Sequence, residues 1–240
     1  MDTAAGIFCA LALILIWLIT SVEIVIYGIP GYYEKEYTKY HVLEDGGIDM
    51  TMEDLLQVTD EMMAYLRGNR EDLHVMTVIG GESREFFNER EIAHMEDVRD
   101  LFLKGLLVRR IMAVLAVALI VFIAVRRKRD TVYVLARSFQ AGTAVMAAAA
   151  LVLGIIISTD FTKYFTIFHQ IFFDNDLWLL NPATDLLINI VPEPFFVDTA
   201  LYIGLIFAAL LIAILAVCTV YTVRHGKAGR KNRAKIMSGK

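Results

Sequence analysis

The chain has little cysteine and no familiar nucleophile motif. Its two cysteines, Cys9 and Cys218, both fall inside long apolar stretches. The polar segments therefore contain none, which excludes a disulfide framework, and both thiols read as small packing residues. There is no Gly-x-Ser-x-Gly elbow, P-loop, dinucleotide fingerprint or zinc-protease helix. Serine-triad hydrolysis is thus unsupported, whereas an acyl transfer in which the substrate supplies its own nucleophile stays open. Internal repeats and low-complexity segments are also missing. Lys and Arg are absent from Met1–Gly6. The apolar run that follows is longer than the ~7–15 residues of a signal-peptide core and leads to no small-residue cleavage site. It reads as a retained helix.

What the chain has is apolar sequence in blocks. Of 240 residues 57% are hydrophobic, and the mean hydropathy is +0.56. That excess points to lipid rather than to a large water-soluble core. A span needs about 20 mostly apolar residues, and Ala4–Ile29, Leu101–Val125, Phe139–Ser158 and Thr199–Val223 each qualify. The expected fold is an all-α membrane protein with four transmembrane helices. A mostly helical extracellular domain separates spans one and two, and an interfacial or re-entrant segment separates spans three and four. The segments are span one (1–29), the extracellular domain (30–100), span two (101–125), a cytoplasmic loop (126–138), span three (139–158), the extracellular interfacial segment (159–198), span four (199–223) and a basic cytoplasmic tail (224–240).

Charge sets the expected orientation. Arg126, Arg127, Lys128, Arg129 and Arg137 crowd the loop between spans two and three. Arg224, Lys227, Arg230, Lys231, Arg233, Lys235 and Lys240 fill the tail. By contrast, Pro30–Val108 has eight basic residues against eighteen acidic ones, and Thr159–Asp198 has one against six. Both termini are therefore expected in the cytoplasm and both acidic segments outside. A basic tail of this kind anchors topology on anionic lipid, and nucleic acid is not an expected partner.

Local signals place several elements. Tyr32, Tyr33, Tyr37 and Tyr40 after Pro30-Gly31 fit an aromatic belt. Thr51 is placed to cap a helix from Met52 to Arg67, stopped by Gly68, with Leu55, Leu56, Met62, Met63 and Leu66 as its apolar stripe. Gly80-Gly81 predicts a short hairpin from Leu73–Ile79 into Glu82–Phe87. Asn88 with Glu91 three residues later forms a capping box for one long helix, Glu89 to Val125. In the segment between spans three and four, Asn181-Pro182 is expected to start a helix that Pro192-Glu193-Pro194 ends.

Four of the five histidines, His41, His74, His94 and His169, fall on the outer side. His169 sits among Phe168, Phe172 and Phe173, and its reading is open between a proton-transfer group and a hydrogen-bonded structural histidine. Glu91 and Asp97 share the helical face of His94, and a carboxylate at that spacing can fix its tautomer. The spacing does not match a metal site, and no metal is expected. Arg109 and Arg110 lie inside the apolar run of span two. Snorkelling accounts for them plainly, and contact with a lipid phosphate or an ester oxygen is the sharper reading. Glu23, at a similar depth, is a candidate partner.

The pattern Glu91-x-x-His94-Met95-x-Asp97-Val98, followed by Phe168-His169-x-x-Phe172, Trp178, Asp185 and Pro192-Glu193-Pro194-Phe195-Phe196, resembles the lipoprotein intramolecular transacylases of Gram-positive membranes. The resemblance runs from Glu89 to the end of span four, with Pro30–Phe87 matching loosely. It implies transfer of the sn-2 acyl chain of a diacylglyceryl-cysteine to the α-amino group of the same cysteine, giving a lyso-form lipoprotein. It implies His94 and His169 as the catalytic pair, with Glu91, Asp97, Trp178 and Asp185 supporting them. By their depth in the spans, Arg109, Arg110 and Glu23 are the candidates to serve the substrate lipid or the oxyanion, and the resemblance implies no cofactor. The partners would be diacylglyceryl-modified lipoproteins and membrane lipid. The rival is a non-enzymatic sensor or transporter subunit with a ligand-binding acidic ectodomain. Transporters place polar groups at the bilayer midplane, whereas here the polar cluster lies at the outer edge of the spans.

Overall fold

The computed structural model describes residues 2–237, with side chains as far as residue 227. Among the described residues the fold is helical apart from one two-stranded hairpin. Three helical stretches have the length and composition to cross a membrane: Asp2–Gly28, Glu89–Thr159 and Glu193–Lys227. The second is 71 residues long and contains two helices. These are α5 (Glu89–Arg127) and α6 (Thr131–Thr159), separated by a 3-10 turn at Lys128–Asp130 in which Lys128 has a φ of 47°. Helix α6 thus starts at Thr131 rather than at Phe139, and the expected loop is only that turn. Hydropathy marks where a helix meets lipid, not where its backbone hydrogen bonds begin. For the same reason α9 runs from Glu193 to Met237, well beyond Thr199–Val223 on both sides. The side chains of Arg230, Lys231, Arg233 and Lys235, and all of Lys240, lie outside the described residues.

The chain divides into two compact units. One contains α1 (Asp2–Glu23) up to Ser21, α5 from Val108, most of α6, and α9 from Gly204. Ala10 and Ile14 of α1 pack with Phe139 of α6 and Leu211 of α9. Cys9 and Ala12 pack with Ala116 of α5, so Cys9 is a core residue, as its apolar setting suggests. Gly6 allows the close approach of α6, because a Cβ there would collide with Ser138. Asp2 bonds Arg126 at 2.8 Å and Arg127 at 2.7 Å. An acidic group in a first turn also complements the helix dipole.

The other unit comprises residues 22–107 and 157–203. It contains a π-helical turn (Ile24–Gly28), α2 (Tyr32–Lys39), α3 (Val42–Asp45), α4 (Met52–Leu66), β1 (Met76–Ile79), β2 (Glu82–Glu85) and the start of α5. The chain returns to it through α7 (Phe161–Phe172), α8 (Leu186–Ile190) and the first turns of α9. Thr51 caps α4, accepting the N–H of Asp54 at 3.1 Å. The helix buries Leu55, Val58, Thr59, Met62, Tyr65 and Leu66, a stripe at helical spacing. The hairpin pairs Ile79 with Glu82 across Gly80 and Gly81. Both glycines have positive φ, 62° and 79°, as a two-residue turn of this hand requires.

Two expectations need correction. The tyrosines after Pro30 do more than line an interface. Tyr37 is wholly buried and bonds Thr59 at 2.9 Å, Tyr32 bonds Thr199 at 2.6 Å, and Tyr40 donates to Asp198 at 2.7 Å. Their spacing on α2 turns them toward α4 and the start of α9. Likewise Asn181-Pro182 starts no helix. The Asn181 side chain accepts the N–H of Ala183 and Asp185 Oδ2 accepts the N–H of Asn181 at 2.6 Å, making a closed turn. Such side-chain bonds compete with helical ones, and α8 begins only at Leu186.

Candidate active site

The site is built where α5 meets the chain around α7 and α8. The Asn88 side chain accepts the N–H of Glu91 at 3.0 Å, and Glu91 Oε2 accepts the N–H of Asn88 at 2.7 Å, closing the capping box. The other oxygen of Glu91 accepts the N–H of Leu187, the second residue of α8, at 2.6 Å. Glu91 is 1% exposed. Burial raises its pKa above the usual carboxylate range, opposed by the N–H groups of Leu187 and Asn88. Asn88 Nδ2 reaches Asp185 Oδ1 at 2.9 Å. Burial of Asp185 works to raise its pKa, but bonds from the Asn181 N–H, Asn88 and the Thr184 hydroxyl outweigh it and hold the carboxyl low. This polar knot fastens the start of α5 to α8.

A second set of bonds joins α5 to the chain just after α7. Arg90, next to Glu91, donates to the carbonyl of Asp176. Asp97 Oδ2 accepts from Asn175 Nδ2 at 2.8 Å, and the Asn175 carbonyl accepts Trp178 Nε1–H at 2.9 Å.

Between these fastenings stand the two histidines. Their ring centroids are 6.1 Å apart with planes inclined at 35°. Both are buried, His94 at 7% exposure and His169 at 8%. Phe173 touches both rings, at 5.5 Å from His94 and 5.6 Å from His169. Trp178 stacks on His169 at 4.9 Å, and Phe165 and Phe168 meet it edge-on. His169 lies in the last turn of α7, whose start is capped by Asp160. Thr162 further ties α7 to Glu193 at the start of α9.

The two rings differ in hydrogen bonding. His169 Nδ1 lies 2.7 Å from the Phe165 carbonyl. A carbonyl only accepts, so Nδ1 carries the proton and Nε2 bears a free lone pair. Among the described residues His94 Nδ1 is buried and has no partner. A buried bare acceptor is tolerated better than a buried orphan N–H, which assigns the His94 proton to Nε2. The rings therefore present one acceptor and one donor.

Burial holds His94 neutral. Its pKa is pushed down to about 4 by desolvation, then by His169, with Asp97 opposing and Arg90 adding a little. Desolvation also lowers His169, against its bond to Phe165. This fixes the sign of a pH effect on stability. Between the ordinary value of 6.5 and about 4, the unfolded chain binds a proton at His94 that the folded chain does not. Stability is expected to fall as pH drops through this window and to level off below it. Thermal unfolding in detergent at stepped pH should show a steeper loss below pH ~6.5 in the parent than in His94→Gln, which removes the titrating ring.

Neither carboxylate expected to fix the His94 tautomer bonds to that ring. Glu91 and Asp97 share its face, but each has closer donors, in Leu187 and Asn88 for one and Asn175 for the other. Trp178 lies on the His169 ring and Asp185 in the knot with Asn88. Glu23 belongs to the histidine unit, and Arg109, half-buried, and Arg110, exposed, belong to the other. His74 is exposed and bonds Glu85 at 3.1 Å. Among the described residues no three His, Cys, Asp or Glu side chains converge as a metal set. The Phe165 carbonyl and Asn175 are the components that sequence reasoning missed. A carbonyl four residues before a helical histidine was the one local signal available.

The chain is similar in fold to the membrane-integral lipoprotein intramolecular transacylase Lit from Bacillus cereus, solved in meso. The TM-score is 0.75 at 20% identity, covering 95% of this chain and 98% of that one. Two forms of the same protein with a histidine replaced by alanine or arginine give TM-scores of 0.70 and 0.71 over 95% of this chain, at 20% and 19% identity, covering 96% and 95% of those chains. No curated protein sequence matches. The family model of lipoprotein intramolecular transacylase Lit matches residues 7–196, a stretch that includes both histidines, and the chain therefore belongs to the lipoprotein intramolecular transacylase family.

Proposed function

We propose that His169 and His94 carry the family's intramolecular acyl transfer, His169 as base and His94 as oxyanion donor. The complementary protonation of the two rings carries this reading: His169 Nδ1–H is spent on the Phe165 carbonyl, while His94 Nδ1 is buried without a partner. The α-amine of the lipidated cysteine attacks the carbonyl carbon of the sn-2 ester. A C–N bond forms, and the amine proton passes to His169 Nε2. The oxygen becomes an oxyanion, which His94 Nε2–H stabilises. Collapse breaks the bond to the glycerol oxygen, and His169 returns its proton to that oxygen. The products are an amide and a free hydroxyl on the same molecule, and no cofactor enters the balance.

The depressed pKa of both rings supports this assignment, since each is neutral at physiological pH. The α-amine, with an ordinary pKa near 8, then sets the rising limb of the pH–rate profile. In the same reading the chain crosses the membrane four times, with the break at Lys128 on the cytoplasmic side and the histidines at the outer face. The acidic balance of residues 30–108 and 159–198 supports that orientation. Arg109 and Arg110 keep the role of contacting substrate lipid. A sensor or transporter subunit is not favoured, because the family matched over residues 7–196 is one of intramolecular transacylases.

The test is mass spectrometry of lipoprotein N-termini from membranes with and without the protein. Intramolecular transfer leaves the intact mass unchanged but moves one acyl chain into the N-terminal fragment. Unchanged fragmentation in its presence would refute the reading.

A further inference from the structure

Asn175 is bonded to both sides of the histidine pair. Its Nδ2 donates to Asp97 Oδ2, one turn beyond His94 on α5. Its Oδ1 accepts the N–H of Leu177 at 3.1 Å, and its carbonyl holds Trp178 Nε1–H. The Trp178 indole in turn lies flat on His169, with planes inclined at 28°. His169 has one fixed nitrogen, so the stacked indole, together with the rings of Phe165, Phe168 and Phe173, limits tilting of the ring about that bond. Asn175 thus joins the helix that carries His94 to the ring that packs His169.

We infer that Asn175 is a positioning residue for the acyl transfer, setting the separation and tilt of the two imidazoles through Asp97 and Trp178. The inference rests on the proposed roles of the histidines. The bond to Asp97 is directional: an amide donor meets a carboxylate acceptor. Asn175→Asp keeps an acceptor for the Leu177 N–H but sets two carboxylates against each other. Asn175→Ala removes the link altogether. The double variant Asp97→Asn with Asn175→Asp restores one donor and one acceptor with their positions exchanged. A misplacement of about 1 Å in a catalytic pair can cost ~100-fold in rate, so the effect belongs in kcat rather than KM.

The chain has two tryptophans, Trp17 and Trp178, so Trp17→Phe leaves Trp178 as the sole reporter. In that background, full-length protein in proteoliposomes is given a synthetic S-diacylglyceryl-cysteine lipopeptide. The expected result is a kcat loss of about 10–100-fold for each Asn175 single variant, with little change in KM and lower Trp178 fluorescence anisotropy. At lower pH the deficit of Asn175→Asp relative to the parent at the same pH should narrow, as one proton shared between the two carboxyls relieves their repulsion. The exchanged pair should regain most of the rate and the anisotropy. Single variants that keep both rate and anisotropy would overturn the inference. So would an exchanged pair that stays slow at a parental unfolding temperature. His169→Ala in the same assay separates the two levels. If it is inactive while the Asn175 series is flat, only the positioning role falls; if it is fully active, the histidine assignment falls with it.

Discussion

Replacing His169 with alanine is expected to slow formation of the lyso-form lipoprotein by about 10²–10⁴-fold, the range typical of a lost general base. The fold should survive. His169 closes no hydrogen bond between elements; its one bond, to Phe165, lies within α7. The aromatic rings of Phe165, Phe173 and Trp178 remain to close around the small cavity. The loss should therefore appear in turnover and not in the amount of folded protein recovered from the membrane. A quantitative mass-spectrometric time course on His169→Ala, normalised to folded protein, measures it. His74→Ala is the internal control, since that ring is exposed and bonds only Glu85.

Replacing His94 with alanine should cost about 10²–10³-fold, the usual loss for one oxyanion donor. His94→Gln provides a sharper comparison. A glutamine amide still offers an N–H but is longer and less fixed, so it should retain more activity than alanine. An equivalent change at His169 should not, because an amide is no base. The contrast between glutamine at the two positions, read in one assay, distinguishes a donor from an acceptor. Equal losses for His94→Gln and His94→Ala would remove the donor role.

The parts of this architecture legible in the sequence are those fixed by local hydrogen-bond chemistry. Thr51, the Asn88–Glu91 box and Gly80-Gly81 each act within a few residues, so spacing alone identifies them. The start of α6 and both ends of α9 are not legible, because hydropathy reports lipid exposure while these helices continue past it. The tight turn around Asn181 is not legible because Asn-Pro suits a helix start, and nothing local shows that Asp185 accepts the Asn181 N–H. The histidine pair was reached through a resemblance to a family; their spacing of 75 positions carries no local signal. The partners of Glu91 and Asp97 show the same limit. Helical spacing puts both on the His94 face, but their donors, Leu187 and Asn175, come from distant chain. The resemblance began at Glu89, whereas the family match begins at residue 7 and so takes in α1 and the segment that matched loosely.

The most direct test of the assignment is the pH dependence of the residual rates of His169→Ala and His94→Ala in proteoliposomes. If His169 is the base, solution hydroxide can take over its task, and the residual rate of His169→Ala should climb steadily above pH ~8, the ordinary pKa of the α-amine. His94→Ala retains its base and lacks only a donor, which hydroxide does not replace, so its rate should plateau once the amine is neutral. Full conversion by folded His169→Ala at neutral pH, or a plateau for His169→Ala alongside a climb for His94→Ala, would contradict the account.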